Sequence, residues 1–143
     1  MSEENNKKAV QKHEAIIAKK AMFQKHADDL TQRLDGILYV MIATDDGFPV
    51  AFTGMDEKNA AGRAALAASL EGLGDTVAFE SSLQNAQAIH VECQNGFIFN
   101  RNIEIDDKNL VLLIASNNEL TLATLLWHIK KMVDDIVRNF HAA

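Results

Sequence analysis

Apolar positions recur at two periods along this chain, and the switches between them mark out its elements. From about Val10 to Leu34, Ile16, Phe23 and Leu30 return every seven residues, with Ala27 and Leu34 on the same stripe. That spacing predicts one amphipathic helix. Lys20 interrupts the stripe and three heptads are too few for a coiled coil, so the helix is expected to lie on a sheet or a partner until Asp35-Gly36 ends it. Ile37 to Ala43 is too short and too rich in Ile, Val and Tyr for a second helix, and reads as a central strand buried on both faces. Pro49 cannot donate to a ladder, so the returning strand, Val50 to Thr53, belongs at a sheet edge.

Between those strands stands Asp45-Asp46-Gly47, either a reactive acidic centre or a bend. Adjacent aspartates on an extended chain point to opposite sides and do not converge on one proton or one metal. Aspartate bonding back to its own backbone and glycine at positive φ are turn chemistry, so the segment reads as the turn.

Asp56 then resembles a helix N-cap. Gly72 and Gly74 each disfavour helix, but Leu66, Leu70, Leu73 and Val77 continue at steps of 4, 3 and 4 through both, which predicts one helix to about Ser82 with those residues on one face. Its first half carries Ala60, Ala61, Ala64, Ala65, Ala67 and Ala68 with Gly62 among them. Small side chains there suit either a surface over a sheet or close packing against the same helix of a second subunit.

From Ile89 the period drops to two, with Ile89, Val91 and Cys93 on one side and His90, Glu92 and Gln94 on the other, as in a half-buried strand. Asn95-Gly96 is a strong hairpin signal, and Phe97 to Ile105 returns from it. Asp106 to Asn109 makes the next turn, ahead of an apolar strand from Leu110 to Ala115. Ser116-Asn117-Asn118 offers caps for a last helix carrying Leu122, Leu126, Ile129, Val133, Ile136 and Phe140, with Leu125 and Met132 widening the stripe. The strand from Ile89 to Gln94 would be an edge in a lone subunit, and neither proline nor lysine discourages its pairing, so an antiparallel homodimer is expected there.

A chain of 143 residues, 48% apolar, fits one domain. Its net charge of −6 and scattered lysines and arginines lack the basic stripe of a nucleic-acid binder, and disfavour anionic lipid equally. One cysteine, Cys93, excludes an internal disulfide and a cysteine zinc cage, and a reducing compartment is its simplest home. No apolar run approaches the roughly 20 residues that cross a bilayer, and no signal-peptide core opens the chain, so a soluble cytoplasmic protein without membrane insertion is expected.

Candidate chemistry is sparse. Gly72-Leu73-Gly74 lacks the spacing and the lysine of a phosphate loop. The histidines at 13, 26, 90, 128 and 141 form no compact ligand spacing and read as surface residues. Cys93 alternates with apolar residues and reads as a small core side chain rather than a nucleophile. No catalytic residue, metal ligand or cofactor is expected.

Three segments together resemble the Roadblock/LC7 group, small α/β proteins related to dynein light chains and to bacterial MglB-type regulators. "LDGILYVMIATDDGFPVAFTG" is similar to the group's first hairpin, "AALAASLEGLGDTVA" to its alanine-rich helix, and "NLVLLIASNNELTLATLLWHIKKMVDDI" to its final strand and closing helix. The likeness covers roughly residues 20 to 141, and departs where Thr121-Leu122-Ala123-Thr124 lacks a glycine that often follows the leucine. It implies an α+β fold of order α-β-β-α-β-β-β-α, with a five-stranded antiparallel sheet and helices on both faces. Residues 20–143 would form this domain, and residues 1–19 a partly helical extension.

The resemblance also implies subunits paired through the alanine-rich helix and the third strand. That places Arg63, Ala64, Ala67, Ala68, Glu71, His90, Val91, Glu92 and Gln94 at a dimer interface. It implies a non-enzymatic regulator or adaptor of a Ras-like small GTPase. An arginine supplied in trans accelerates GTP hydrolysis by about 10³ to 10⁵. Of Arg33, Arg63, Arg101 and Arg138, the sequence marks Arg101, between asparagines beyond a hairpin, as the most exposed for that role, although surface pairing and repositioning of the GTPase's own groups are simpler readings. The other class of function left open is a structural dimerisation module or small-molecule sensor without a GTPase.

Overall fold

Five strands pair antiparallel throughout in the order β2-β1-β5-β4-β3. The computed structural model describes residues 2–142, without the side chains of residues 8–10 and 12. Val10, the expected start of the first stripe, has its side chain outside that description. In chain order the elements are α1 (Glu3–Ile17), α2 (Lys20–Arg33), β1 (Ile37–Thr44), β2 (Pro49–Thr53), α3 (Glu57–Glu80), β3 (Ala88–Cys93), β4 (Gly96–Ile105), β5 (Lys108–Asn117) and α4 (Leu122–Ala142). No helix among the described residues is long and apolar enough to cross a membrane.

Two helices cover one face of the sheet and one the other. Phe23, Ala27 and Leu30 of α2 and Leu125, Ile129, Ile136 and Phe140 of α4 pack with Val40, Ile42, Leu112 and Ile114 into the larger core. On the opposite face Ala60, Ala64 and Ala67 of α3 meet Met41, Ala43, Val111 and Leu113. The stripes of α2 and α4 thus bury as their spacing requires. The proline-bearing β2 is an edge, and β1 lies inside the sheet with Val40 to Thr44 buried. Leu38 at its start is 55% exposed, so burial on both faces holds for only the second half of the strand.

The expected single N-terminal helix is two. Lys19 leaves helical geometry at φ −110° and ψ 18°, and its ammonium donates to the Phe140 carbonyl while lying 4.3 Å from the centre of that ring. A cation at the C-terminal carbonyls of α4 is favoured by the helix dipole, and the break at residues 18–19 accommodates it. Ile16 still reaches the larger core, while His13 of α1 sits 3.2 Å from an Asp46 carboxylate oxygen and edge-on to Phe48.

The turns carry the chemistry expected of them in two cases and shift in two. Asp45-Asp46-Gly47 is a turn: Gly47 has φ +93° and its N–H donates to the Thr44 carbonyl at 3.0 Å, leaving both aspartates in solvent. Asp56 accepts from the Asn59 N–H at 2.9 Å as the N-cap of α3. The β3–β4 hairpin, however, pairs Cys93 with Gly96, so its turn residues are Gln94 and Asn95 rather than Asn95 and Gly96. The cap of α4 is Thr121, whose hydroxyl accepts from the Thr124 N–H, while Asn117 instead closes a local turn onto the Glu119 N–H.

Gly96 is required by space rather than by φ. A Cβ there would lie 2.0 Å from the Ser116 carbonyl oxygen on β5, a backbone atom that cannot move aside without opening the ladder. Gly96→Ala is therefore expected to cost roughly 2 kcal/mol or more. Urea unfolding of the full chain should show a lower midpoint at an unchanged slope; an unchanged midpoint would contradict the close approach.

Candidate functional site

Two apolar stripes run along α3, one residue apart. Residues 60, 64, 67, 74 and 78 carry only alanine or glycine at helical spacing, and Leu66, Leu70, Leu73 and Val77 follow the same rhythm about 100° around the helix. The small stripe is the one seated on the sheet, with Ala60, Ala64, Ala67 and Gly74 buried. The bulky stripe, expected as the packed face, is turned mostly outward, with only Leu70 half-buried against the core under the helix. Leu66 is 57% exposed, Leu73 57% and Val77 58%, and Phe79 and Leu83 beyond them are more open still. Exposed apolar residues aligned at helical spacing, as Leu66, Leu73 and Val77 are, suit an interaction surface.

Strand β3 borders the same region and is open on its outer edge. Ile89 is half-buried, its Cδ1 lying 2.9 Å from where a Cβ on Gly74 would stand. Val91 is 37% exposed and Cys93 is exposed, so Cys93 is not the core side chain its alternation suggested. The strand is less than half-buried because it lies at the sheet's margin, where α3 covers only its first residues.

The residues expected at an interface are divided by this geometry. Ala64 and Ala67 are fully buried under α3 against the subunit's own sheet, and Ala68 is half-buried beside the Gly47 turn. Arg63 is half-buried, its guanidinium 4.3 Å from the centre of the Tyr39 ring. His90 lies against Phe99 of β4 with the rings tilted at 44° and 4.5 Å between centroids, and it, Glu92 and Gln94 face solvent. Arg101 lies within β4 opposite Ala88 and Leu112, half-buried, with its Nε enclosed and unpartnered; Arg33 and Arg138 are the more exposed arginines. Expected just past a hairpin as the most exposed arginine, it is paired on both sides within β4 and only half-exposed to solvent.

Glu71 occupies the small stripe between Ala67 and Gly74 and enters a cleft with Asn100 and Asn102 of β4. These two asparagines and Glu104 alternate along β4 on its α3 side, a polar strip beneath an otherwise apolar helix face. The asparagines lay outside the residues the sequence singled out, although their alternate spacing was there to be read. Burial, followed by the charges of Asp45, Asp75 and Glu104, pushes the Glu71 carboxyl up to about 7.

On the opposite face a hollow of about 690 Å³ opens between α2 and α4, lined by Met22, Leu30 and Met132 with Lys25, Asp29 and Lys131 around them. Asn139 Nδ2 donates to His26 Nε2 there at 2.9 Å, and burial lowers the His26 pKa. Basic and acidic groups alternate along this groove without converging on one reacting position.

Folding raises the Glu71 pKa, so the folded chain holds that proton more tightly than the unfolded one. Its contribution to stability is present below about pH 4.5 and is lost as pH rises through about 7. Glu71→Gln should consequently raise the melting temperature more at pH 8 than at pH 5. Parallel melting profiles for the two proteins across that range would contradict the raised pKa.

The family model for the Roadblock/LC7 domain matches residues 23–116. Among solved structures, a Roadblock/LC7 domain from Streptomyces avermitilis aligns with a TM-score of 0.74 at 21% identity, over 84% of this chain and 98% of that one. Myxococcus xanthus MglB aligns with a TM-score of 0.74 at 16% identity, over 86% and 90%. The gliding protein MglB of Thermus thermophilus gives 0.69 at 14%, over 84% and 92%. No curated protein sequence is similar enough to count as a match. With the expected five-stranded antiparallel sheet, its helices on both faces, and a family match across most of the sheet, the chain belongs to the Roadblock/LC7 domain family.

Proposed function

We propose that this protein is a non-enzymatic regulator or adaptor of a Ras-like small GTPase and acts as a homodimer, in the manner of MglB-type members of its family. The observation that carries this reading is the outward apolar stripe of α3 beside the open edge of β3. Leu66, Leu73, Val77 and Val91 lie on one side of the molecule, next to backbone groups of β3 that have no ladder partner. Antiparallel pairing of β3 with its twin satisfies those groups, and brings the two outer faces of α3 together across one two-fold axis. One of the structurally similar proteins is an MglB described in a tetrameric arrangement, which favours self-association as a theme of the fold.

Interface residues on α3 are then Leu66, Leu73 and Val77, with Arg63 at the margin, while Ala64 and Ala67 act indirectly by letting the helix sit close to its own sheet. Light scattering on the full chain should give a mass near twice 15.8 kDa at micromolar concentration. Leu73→Glu should give a folded monomer, with circular dichroism unchanged. A wild-type monomer under those conditions would overturn the dimer.

The dimer regulates by binding one nucleotide state of the GTPase better than the other, since a ligand shifts an equilibrium only through differential affinity. A tenfold ratio of dissociation constants corresponds to about 1.4 kcal/mol. Because Arg101 is half-buried within β4, stimulation is assigned to repositioning of the GTPase's own groups. Arg101→Ala should leave stimulated hydrolysis within about twofold of wild type. Loss of stimulation with binding intact would instead make Arg101 a trans arginine. Equal affinity for both nucleotide states, with no effect on hydrolysis or exchange, would reduce the role to scaffolding; failure to bind any GTPase of the source organism would leave a dimerisation module or sensor.

A further inference from the structure

Two amide oxygens under α3 are buried without a donor among the described residues. Asn100 is only 3% exposed; its Nδ2 donates to the Ala67 carbonyl at 3.2 Å, while its Oδ1 is left unpartnered. Asn102 repeats the pattern: its Nδ2 donates to a Glu104 carboxylate oxygen at 3.3 Å, and its Oδ1 is buried and unpartnered. Buried side-chain oxygens in folded proteins are nearly always met, by the protein or by an ordered water.

Both asparagines line the same cleft as Glu71, between α3, β4 and the start of β3. The cleft measures about 10 Å³, room for one water. Its remaining walls are Gly74, Ala86, Ala88, Ile89 and Gln87, and the Gln87 Nε2 donates to the Asn85 carbonyl. Glu71 is therefore the one titratable group lining it. A water that gives its two hydrogens to the two amide oxygens can only accept from the third group facing it. A carboxylate cannot donate to that water, whereas a carboxylic acid can, through its O–H.

We propose that a protonated Glu71 and one buried water form a latch across this cleft, the acid donating to the water and the water to Asn100 Oδ1 and Asn102 Oδ1, so that loss of the proton loosens α3 and weakens the dimer. The link to the dimer rests on the proposed function above, in which the outer face of α3 carries the contact. Ionised, Glu71 would compete with the asparagines for the hydrogens of the water, and would add its charge to those of Asp45 in the β1–β2 turn, Asp75 on α3 and Glu104 on β4. Arg63, two turns back along α3, is held over Tyr39. On β3, His90 and Glu92 stand opposite Phe99 and Phe97, which places them, like Arg101, on the other face of the sheet, and Cys93 lies at the far end of the strand. Burial and the three acidic neighbours hold the Glu71 carboxyl at about 7, so the latch opens across the neutral range. The seated helix holds the proton, so seating and dimer are favoured at low pH and lose that support as pH rises through about 7.

Carbon-13 NMR of the side-chain carboxyls of the full chain, titrated with pH, reads the proton directly, and Glu71→Gln assigns the signal. The Glu71 resonance should move with a midpoint of about 7. A crystal structure grown at about pH 6, below that midpoint, should show one ordered water within hydrogen-bonding distance of Asn100 Oδ1, Asn102 Oδ1 and a Glu71 carboxyl oxygen. Analytical ultracentrifugation then tests the coupling. Between about pH 6 and pH 8 the dimer dissociation constant of the wild type should rise at least about threefold more than that of Glu71→Gln, whose amide donates to the water at either pH. His90 at the strand edge is common to both proteins, so only the difference between them is read, and circular dichroism establishes that the variant is folded. A Glu71 midpoint in the ordinary carboxylate range, or a cleft without that water, would overturn the latch. Equal pH dependence in wild type and folded Glu71→Gln would overturn its link to the dimer. A chain monomeric at both pH values would refute the dimer itself, with the midpoint and the water still deciding the latch.

Discussion

The close seating of α3 on the sheet is the constraint from which the other features follow. A helix whose inward positions are alanine and glycine brings its backbone nearer to the strands than leucine would allow, and Ala60, Ala64, Ala67 and Gly74 are buried there against β1, β5 and β3. Once those positions are spent on small residues, the helix buries little apolar area against its own sheet. Of the bulky residues one step around the helix, only Leu70 reaches that core, and Leu66, Leu73 and Val77 stay exposed. The exposed stripe is the counterpart of the small one rather than an isolated oddity.

The same seating explains the polar strip. Because the helix comes close, the Asn100 amide reaches the Ala67 carbonyl of α3, and Glu71 is held over β4 instead of reaching bulk water. A larger side chain at Ala67 or Gly74 would lift the helix and release both. The tight contact thus accounts at once for the outer apolar stripe and for the inner polar strip.

Much of the architecture was legible in the sequence because it rests on periodicity and turn chemistry, which are local. The stripe of α4, the edge position of β2 after Pro49, the Asp45-Asp46-Gly47 turn and the Asp56 cap are of this kind. What was not legible depends on the third dimension. Two stripes on α3 had identical spacing, and only the neighbouring strands decide which one faces in. The break at Lys19 depends on a carbonyl 121 residues away, at Phe140. Cys93 alternates like a core residue, but no layer lies over its end of the edge strand to bury it. On α3 the spacing alone could not tell which face the sheet covers: Ala64 and Ala67 lie inside, Leu66, Leu73 and Val77 outside.

The central claim is that the outer edge of β3 and the outer face of α3 are meant to be covered by a second copy. Hydrogen–deuterium exchange of the full chain at two concentrations, one micromolar and one at least a hundredfold lower, addresses it without any substitution. The account predicts that the β3 amides pointing away from β4 exchange slowly at the higher concentration and rapidly on dilution, while amides shared between β4 and β5 stay protected in both. Fast exchange of the outward β3 amides at both concentrations would contradict it.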